Sequence, residues 1–129
     1  MNTLSFKREV QGKFEEIVER VAEVIKPAGF GILSRIDFDQ KMKEKLGEIV
    51  PRTVVLGACN PRVAFEAYKK TTDVTLLIPC NIVVRETGNG KIVVEAIRPS
   101  AMLQVLPQVE FDDSLKQIEK SLELAINSL

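Results

Sequence analysis

TVVLGACNP, residues 53–61, predicts a buried strand that passes directly into a helix. β-Branched and apolar side chains dominate Thr53–Cys59, which is typical of a strand inside a sheet. Asn60 is a favoured helix N-cap, and Pro61 suits the first helical position because its fixed φ is already helical. We therefore predict a strand over Thr53–Cys59 and a helix over Pro61–Lys70.

The residues before this stretch predict two more strands and two helices. Alternation of apolar and polar side chains indicates a strand over Thr3–Val10. Apolar residues then recur at helical spacing over Lys13–Lys26, opposite a charged face. Phe30–Phe38 is interpreted as a second strand, and Asp39 as the N-cap of a short, charged helix that ends at Leu46.

The residues after it predict a hairpin and a final helix. Val74–Thr87 is interpreted as one long extended segment. The Gly-Asn-Gly turn near residues 87–90 favours a hairpin, because Gly and Asn tolerate positive φ, and Lys91–Ile97 returns as the next strand. Asp112 or Asp113 is expected to cap a helix with an apolar stripe along one side.

The predicted element order is β-α-β-α-β-α-β-β-α, which fits one layered α+β domain over residues 1–129. We find no internal repeat, low-complexity stretch or linker. The single tyrosine, Tyr68, is assigned to the inner side of its helix and hence to the core.

Composition narrows the possible chemistry. The chain has 129 residues, with 18 basic and 18 acidic side chains and no histidine. An even charge balance argues against a protein that binds nucleic acid phosphates, since such proteins usually carry a basic excess. The lack of histidine removes the commonest general base, the Ser-His-Asp and Cys-His arrangements and the usual imidazole ligands of zinc.

The N-terminal residues, the longest apolar run and the number of cysteines favour a cytoplasmic protein that does not enter a membrane. The first ten residues contain no apolar signal-peptide segment, and the most apolar run, Val74–Val84, is too short to span a bilayer. Two cysteines in a domain of this size do not form a disulfide framework. We therefore expect both thiols to be free in a reducing compartment.

The most suggestive motif is a pair of Cys-Asn dipeptides, Cys59-Asn60 and Cys80-Asn81, each at a break in regular structure. A free cysteine usually packs as a small apolar residue, and Asn usually caps or turns the chain. The functional alternative is a shared pocket, because Cys59 precedes a helix N-terminus, where exposed N–H groups stabilise an anion.

Three chemistries remain open for such a pocket. Two neighbouring thiols could form a reversible disulfide, although no Cys-x-x-Cys motif is present. Two thiolates could contribute to a metal site, but they do not complete a tetrahedral zinc shell. The third, which we favour, is a small polar or anionic ligand bound by backbone N–H groups, by the two asparagines and by Arg62 or Arg85.

The motifs themselves resemble those of a widespread prokaryotic family, domain-of-unknown-function family 302. The resemblance rests on GACNP at residues 57–61 with Ala64, on LIPCNIVV at residues 77–84, and on the order of elements along nearly the whole chain. It implies an architecture like that of the TATA-box-binding protein: a single curved antiparallel sheet with helices packed on one face, commonly in a homodimer. It implies no activity, and DNA binding does not follow from similarity of fold.

We therefore expect a cytoplasmic homodimer that binds a small ligand or a metal, without nucleic acid or membrane partners. No catalytic residue and no complete metal-ligand set is identified, and the cofactor is unknown. Two alternatives stay open: an enzyme or redox protein that uses Cys59 or Cys80, and a structural or interaction domain with buried thiols. The expected ligand-binding residues are Cys59, Asn60, Arg62, Cys80, Asn81 and Arg85.

Overall fold

The computed structural model describes residues 2–129. Five strands in this part of the chain form one open antiparallel sheet in the order β1-β5-β4-β3-β2. Their bounds are β1 Ser5–Val10, β2 Gly31–Asp37, β3 Thr53–Cys59, β4 Cys80–Glu86 and β5 Ile92–Ile97. The predicted α+β class with a single antiparallel sheet is confirmed.

Within residues 2–129, five α-helices and two short 3₁₀ segments connect and cover the strands. The helices are α1 Phe14–Val24, α2 Phe38–Leu46, α3 Pro61–Lys70, α4 Pro99–Leu103 and α5 Asp113–Asn127. The 3₁₀ segments are Lys26–Ala28 and Thr72–Leu77. No helix within residues 2–129 combines the length and the apolar character that crossing a bilayer requires.

The main hydrophobic core lies between one face of the sheet and the helices α1 and α5. On β3 the side chains of Val54, Leu56 and Ala58 alternate onto this face, as the period of two in a strand requires. Val21 of α1 and Ile126 of α5 close the core from the other side, and both are fully buried. The helical spacing of apolar residues in α1 is thus confirmed.

Several elements match their predicted bounds. β3 and α3 begin and end where the sequence places them, and Asn60 caps α3 by accepting a hydrogen bond from the backbone N–H of Val63. Asp112 caps α5 in the same way, through the N–H of Leu115.

The long extended segment predicted over Val74–Thr87 is wrong in its first half. Thr72–Leu77 forms 3₁₀ turns, and the strand starts only at Cys80, after a cis peptide bond between Ile78 and Pro79. Val74 and Leu77 of these turns pack into a small hydrophobic cluster with Ala67 of α3, whereas Leu76 is exposed.

Two single-residue predictions are also wrong. Asp37, and not Asp39, occupies the N-cap position of α2; the Asp39 carboxylate instead accepts a hydrogen bond of 3.0 Å from the backbone N–H of Thr53. Tyr68 is 48% exposed and does not belong to the core. In α3 only Ala67 is buried, so the inner side of this helix is narrower than the sequence pattern indicates.

An ion cluster holds the start of α1 to the sheet. Glu15 receives two hydrogen bonds from the Arg35 guanidinium, of 2.7 and 3.1 Å, and a third of 2.8 Å from Arg52. The hydrogen bond from Arg35, aided by the positive charge of Arg52, lowers the pKa of Glu15. Because these side chains are partly solvated, the cluster orients α1 more than it stabilises the fold.

The neighbouring strands approach closely at Gly57 in β3. A Cβ atom at this position would overlap the Ser34 hydroxyl and lie 2.5 Å from Cγ of Pro79. Ser34 belongs to β2, and Pro79 immediately precedes β4, so both neighbours of β3 approach the backbone of residue 57. A glycine is required here because of close approach and not because of its φ angle.

We predict that Gly57→Ala lowers the free energy of unfolding by about 1–3 kcal/mol, the usual cost of overpacking a tight site. Gly31→Ala is the matched control, since a Cβ at this other strand glycine meets no atom within 4 Å. Urea unfolding followed by circular dichroism measures both. Equal stability of the two variants would contradict the close approach described here.

Candidate functional site

The candidate site is a cavity of about 360 Å³ beside the start of α3. It lies between the main core and a second, smaller hydrophobic cluster. The smaller cluster consists of the buried residues Ala67, Val74, Leu106 and Val109, with partly buried Leu77, Ile78, Leu103 and Leu115 around them.

Helix α5 joins the two clusters along one wall of the cavity. Leu115 in its first turn packs against the smaller cluster, whereas Ile118, one turn later, packs against the main core. Both side chains line the cavity. The opposite wall is α3, which contributes Val63, Ala64 and Ala67.

Apolar side chains make up most of the cavity wall, and charged or polar side chains form its rim. The sheet end contributes Phe30, Ala58 and Cys59, and the irregular segments contribute Val74, Ile78, Pro99, Leu103 and Val109. The rim consists of Asn60, Arg62, Glu66, Lys70, Glu110, Asp112 and Ser114. An apolar interior with polar groups at the mouth is the usual composition of a small-molecule site.

Asn60 has a structural role at the edge of this cavity. Its Oδ1 atom lies 3.3 Å from the backbone nitrogen of Val63, and its Nδ2 atom donates to the carbonyl oxygen of Ala28 at 3.4 Å. The turn that contains Ala28 can approach because Gly29 has a φ of 88° and no side chain. The amide thus ties the end of the α1 segment to the first turn of α3.

The six predicted site residues divide into two groups. Cys59, Asn60 and Arg62 line the cavity, whereas Cys80, Asn81 and Arg85 do not. In the sheet register, Cys80 lies opposite Ala58 and Asn81 lies opposite Gly57, so the second motif is beside the first one but on the next strand.

Arg85 is occupied elsewhere. Its guanidinium lies 3.5 Å from the Glu95 carboxylate on the neighbouring strand β5. Glu95 also accepts a hydrogen bond from the Ser5 hydroxyl on β1. Arg85 therefore belongs to a polar cluster on the sheet and is not directed to the cavity.

Both cysteines are free, half-buried thiols. Burial raises the pKa of Cys59. Burial, together with the negative charge that a Cys59 thiolate would carry, raises the pKa of Cys80 to about 11. Both groups are therefore protonated at neutral pH, which is the opposite of the lowered pKa that a nucleophilic or redox-active thiol requires.

The residues around these thiols do not form a metal site. Within residues 2–129 we find no group of three or more His, Cys, Asp or Glu side chains close enough to hold an ion. The cavity can instead desolvate an apolar molecule and hydrogen-bond a polar group at its mouth.

The sequence pattern predicts only part of the cavity wall. Leu115 and Ile118 belong to the predicted stripe of the last helix, so their inward orientation is foreseeable. Leu103 and Val109 lie in α4 and in the irregular chain after it, where no periodic pattern marks an inner face. Only the apolar character of these residues hints at burial.

The fold and the cavity define a class of protein: an α+β domain with an open antiparallel sheet and an apolar cavity beside its helices. The chain belongs to the family "Domain of unknown function DUF302", which it matches over residues 6–129. No curated protein matches the chain.

A solved structure agrees with this assignment. The chain is similar to the "uncharacterized conserved protein DUF302 from Bacillus stearothermophilus", with 25% sequence identity and a TM-score of 0.77. The alignment covers 98% of this chain and 95% of that one. The predicted family resemblance is confirmed, and the family description assigns no activity.

We predict that both thiols react slowly with iodoacetamide at neutral pH in the native protein and rapidly after unfolding in urea. A pKa of about 11 leaves Cys80 with roughly 300-fold less thiolate than an ordinary cysteine of pKa 8.5. Its alkylation rate should therefore keep rising with pH up to about 11. Mass spectrometry of the labelled peptides measures each site.

The variants Cys59→Ala and Cys80→Ala serve as controls, because each leaves one thiol to follow alone. Removing Cys59 should also let Cys80 ionise at a lower pH, since the charge of the neighbouring thiolate is gone. Native labelling of either thiol as fast as in urea would instead indicate an activated cysteine.

Proposed function

We propose that this domain binds a small, largely apolar molecule with one polar group, in the cavity between α3 and α5. The observation that carries the proposal is an apolar cavity of about 360 Å³ between two hydrophobic clusters. Protein interiors are close-packed and contain few voids larger than a water molecule. A cavity of this size lies within the range of ligand sites, which starts near 300 Å³.

The volume limits the ligand. If each non-hydrogen atom takes up about the volume of a water molecule in the liquid, roughly 30 Å³, the cavity holds on the order of twelve such atoms. Burial of the apolar part supplies most of the affinity, because each methylene contributes about 0.8 kcal/mol.

The rim supports a polar group on this ligand. Arg62 and Lys70 form no salt bridge within residues 2–129, so their charges are available at the mouth of the cavity. Glu110 and Asp112 lie on the same rim, and the mixture of signs favours hydrogen bonding over attraction of a highly charged ligand. Asn60 contributes by fixing the shape of the site, since its side chain is already engaged.

In this proposal Cys59 is part of the cavity wall and not a nucleophile. Its raised pKa and its position next to Ala58 support that role. Two free thiols also support a reducing compartment, and a cytoplasmic location is part of this proposal.

Titration with 1-octanol, a nonionic probe with nine non-hydrogen atoms, tests the proposal in wild-type protein labelled with nitrogen-15. We expect saturable shifts of backbone amide signals around the cavity, at Ala58, Val63 and Leu115. Ala64→Phe places a ring in the cavity and should weaken binding more than tenfold, because displacing two methylenes costs about 1.6 kcal/mol.

Lys69→Phe is the matched control, since it adds the same ring to the same helix at an exposed position outside the cavity wall. It should bind the probe like the wild type. Absence of saturable shifts in the wild type, or equal binding by the Ala64→Phe and wild-type proteins, would contradict a ligand site here and favour a purely structural role.

A further inference from the structure

A second, smaller cavity lies where β1 begins and β5 ends, and its volume is about 220 Å³. Its wall consists of Asn2, Thr3, Arg98, Ser100 and Gln104, all of them polar. We call this cavity the Arg98 pocket. It shares no wall residue with the apolar cavity between α3 and α5, so the two are separate sites.

Helix α4 contributes to both cavities from opposite sides. Pro99 and Leu103 line the apolar cavity, whereas Ser100 and Gln104 line the Arg98 pocket. The two residues of each pair are four positions apart, and residues at this spacing lie on the same side of a helix. One side of α4 is therefore apolar and the other is polar, which indicates that the two cavities accept different ligands.

Hydrogen bonds between three parts of the chain hold the pocket open. The Asn2 side chain accepts a hydrogen bond of 2.9 Å from the backbone N–H of Leu4. The carbonyl oxygen of Leu4 in turn accepts one of 2.8 Å from the N–H of Arg98. The N–H of Ser100 donates to the Glu119 carboxylate of α5 at 2.7 Å. The wall is thus formed without a ligand, which lowers the cost of binding one.

Arg98 is the only charged residue in the wall of the pocket. Its guanidinium lies over the ring of Phe6, with 4.2 Å between Cζ and the ring centroid, and this contact fixes the side chain. Arg98 forms no salt bridge within residues 2–129. Its Nε atom is buried and has no hydrogen-bond partner among the same residues. A partly desolvated charge without a counter-charge is costly, and an anion in the pocket would reduce that cost.

The other wall residues supply neutral hydrogen-bond donors. The side chains of Thr3, Ser100 and Gln104 form no hydrogen bond within residues 2–129. Each hydroxyl or carboxamide group can donate to an oxygen atom. A guanidinium with several neutral donors around it is the chemistry that recognises phosphate or carboxylate oxygens.

The carboxylates beside the pocket do not neutralise Arg98. Glu119 accepts the hydrogen bond from the N–H of Ser100, and Glu95 accepts one from the hydroxyl of Ser5. Neither carboxylate lines the pocket. The positive charge of Arg98 is therefore available to a ligand.

We propose that the Arg98 pocket binds a small oxyanion, which the guanidinium and the neutral donors of the wall hold together. At roughly 30 Å³ for each non-hydrogen atom, the pocket holds on the order of seven atoms. Inorganic phosphate and small carboxylates such as acetate are within this limit. The site differs in place and in ligand from the apolar cavity, so it goes beyond the function proposed above.

Titration of nitrogen-15-labelled wild-type protein with sodium phosphate tests the proposal. Sodium chloride keeps the ionic strength constant, so that general screening of surface charges does not change during the titration. We expect saturable shifts of the backbone amide signals of Thr3, Ser100 and Gln104. A parallel titration with sodium acetate shows whether a carboxylate suffices; we expect weaker binding, because phosphate carries more charge and more acceptor oxygens.

Gln104→Glu places a carboxylate beside Arg98 with little change of shape. Position 104 is exposed, so the variant should fold. The new carboxylate should pair with Arg98 and repel the ligand, and we expect at least tenfold weaker binding of phosphate. Gln108→Glu is the matched control, since it makes the same change at an exposed position outside the pocket. It should bind phosphate like the wild type.

Three results would overturn the proposal. The first is a wild-type protein that shows no saturable shifts in the millimolar range with either anion. The second is a set of shifts centred on Arg62 and Lys70, at the rim of the apolar cavity, instead of on the Arg98 pocket. The third is equal binding of phosphate by the Gln104→Glu and Gln108→Glu variants. None of these results bears on the binding of 1-octanol, because the two cavities have no wall residue in common.

Discussion

The close approach of three chain segments at Gly57 is the constraint on which the rest of the structure depends. β3 is hydrogen-bonded to β2 on one side and to β4 on the other, and Ser34 and Pro79 occupy the space that a side chain at position 57 would need. Two residues further on, β3 ends and Asn60 starts α3. The end of β3 and the start of α3, which line the cavity through Ala58, Cys59 and Asn60, are therefore held close to this packed part of the sheet.

The residues at the end of β3 contribute to both the core and the cavity. Ala58 contributes both to the main core and to the cavity wall, so the cavity borders the core directly. Cys59 and Cys80 gain their raised pKa values from the same burial. A protonated thiol is a poor nucleophile, and Asn60 caps α3, so packing and capping explain the Cys59-Asn60 motif.

Much of the fold could be predicted from the sequence, because its signals are local. β-Branched composition and the Asn-Pro pair set the bounds of β3 and α3, and helical spacing indicates α1 and α5.

The sequence does not predict the 3₁₀ turns at Thr72–Leu77, because a short apolar run has the same pattern in a strand and in a buried turn. Half of the predicted site, namely Cys80, Asn81 and Arg85, lies outside the cavity. The position of the second motif depends on the sheet register, which places Cys80 opposite Ala58 on the next strand. The α2 cap was misplaced because Asp37 and Asp39 are equally suitable residues and only tertiary contacts distinguish them.

The division of the apolar interior into two clusters has a thermodynamic consequence. The smaller cluster rests on four buried residues, whereas the main core contains nineteen, so the wall formed by α3 and the Thr72–Leu77 turns can open at a lower free energy than global unfolding. Any molecule that fills the cavity adds contacts to both clusters at once. A molecule bound in the cavity would therefore raise the free energy needed to open this wall, by mass action.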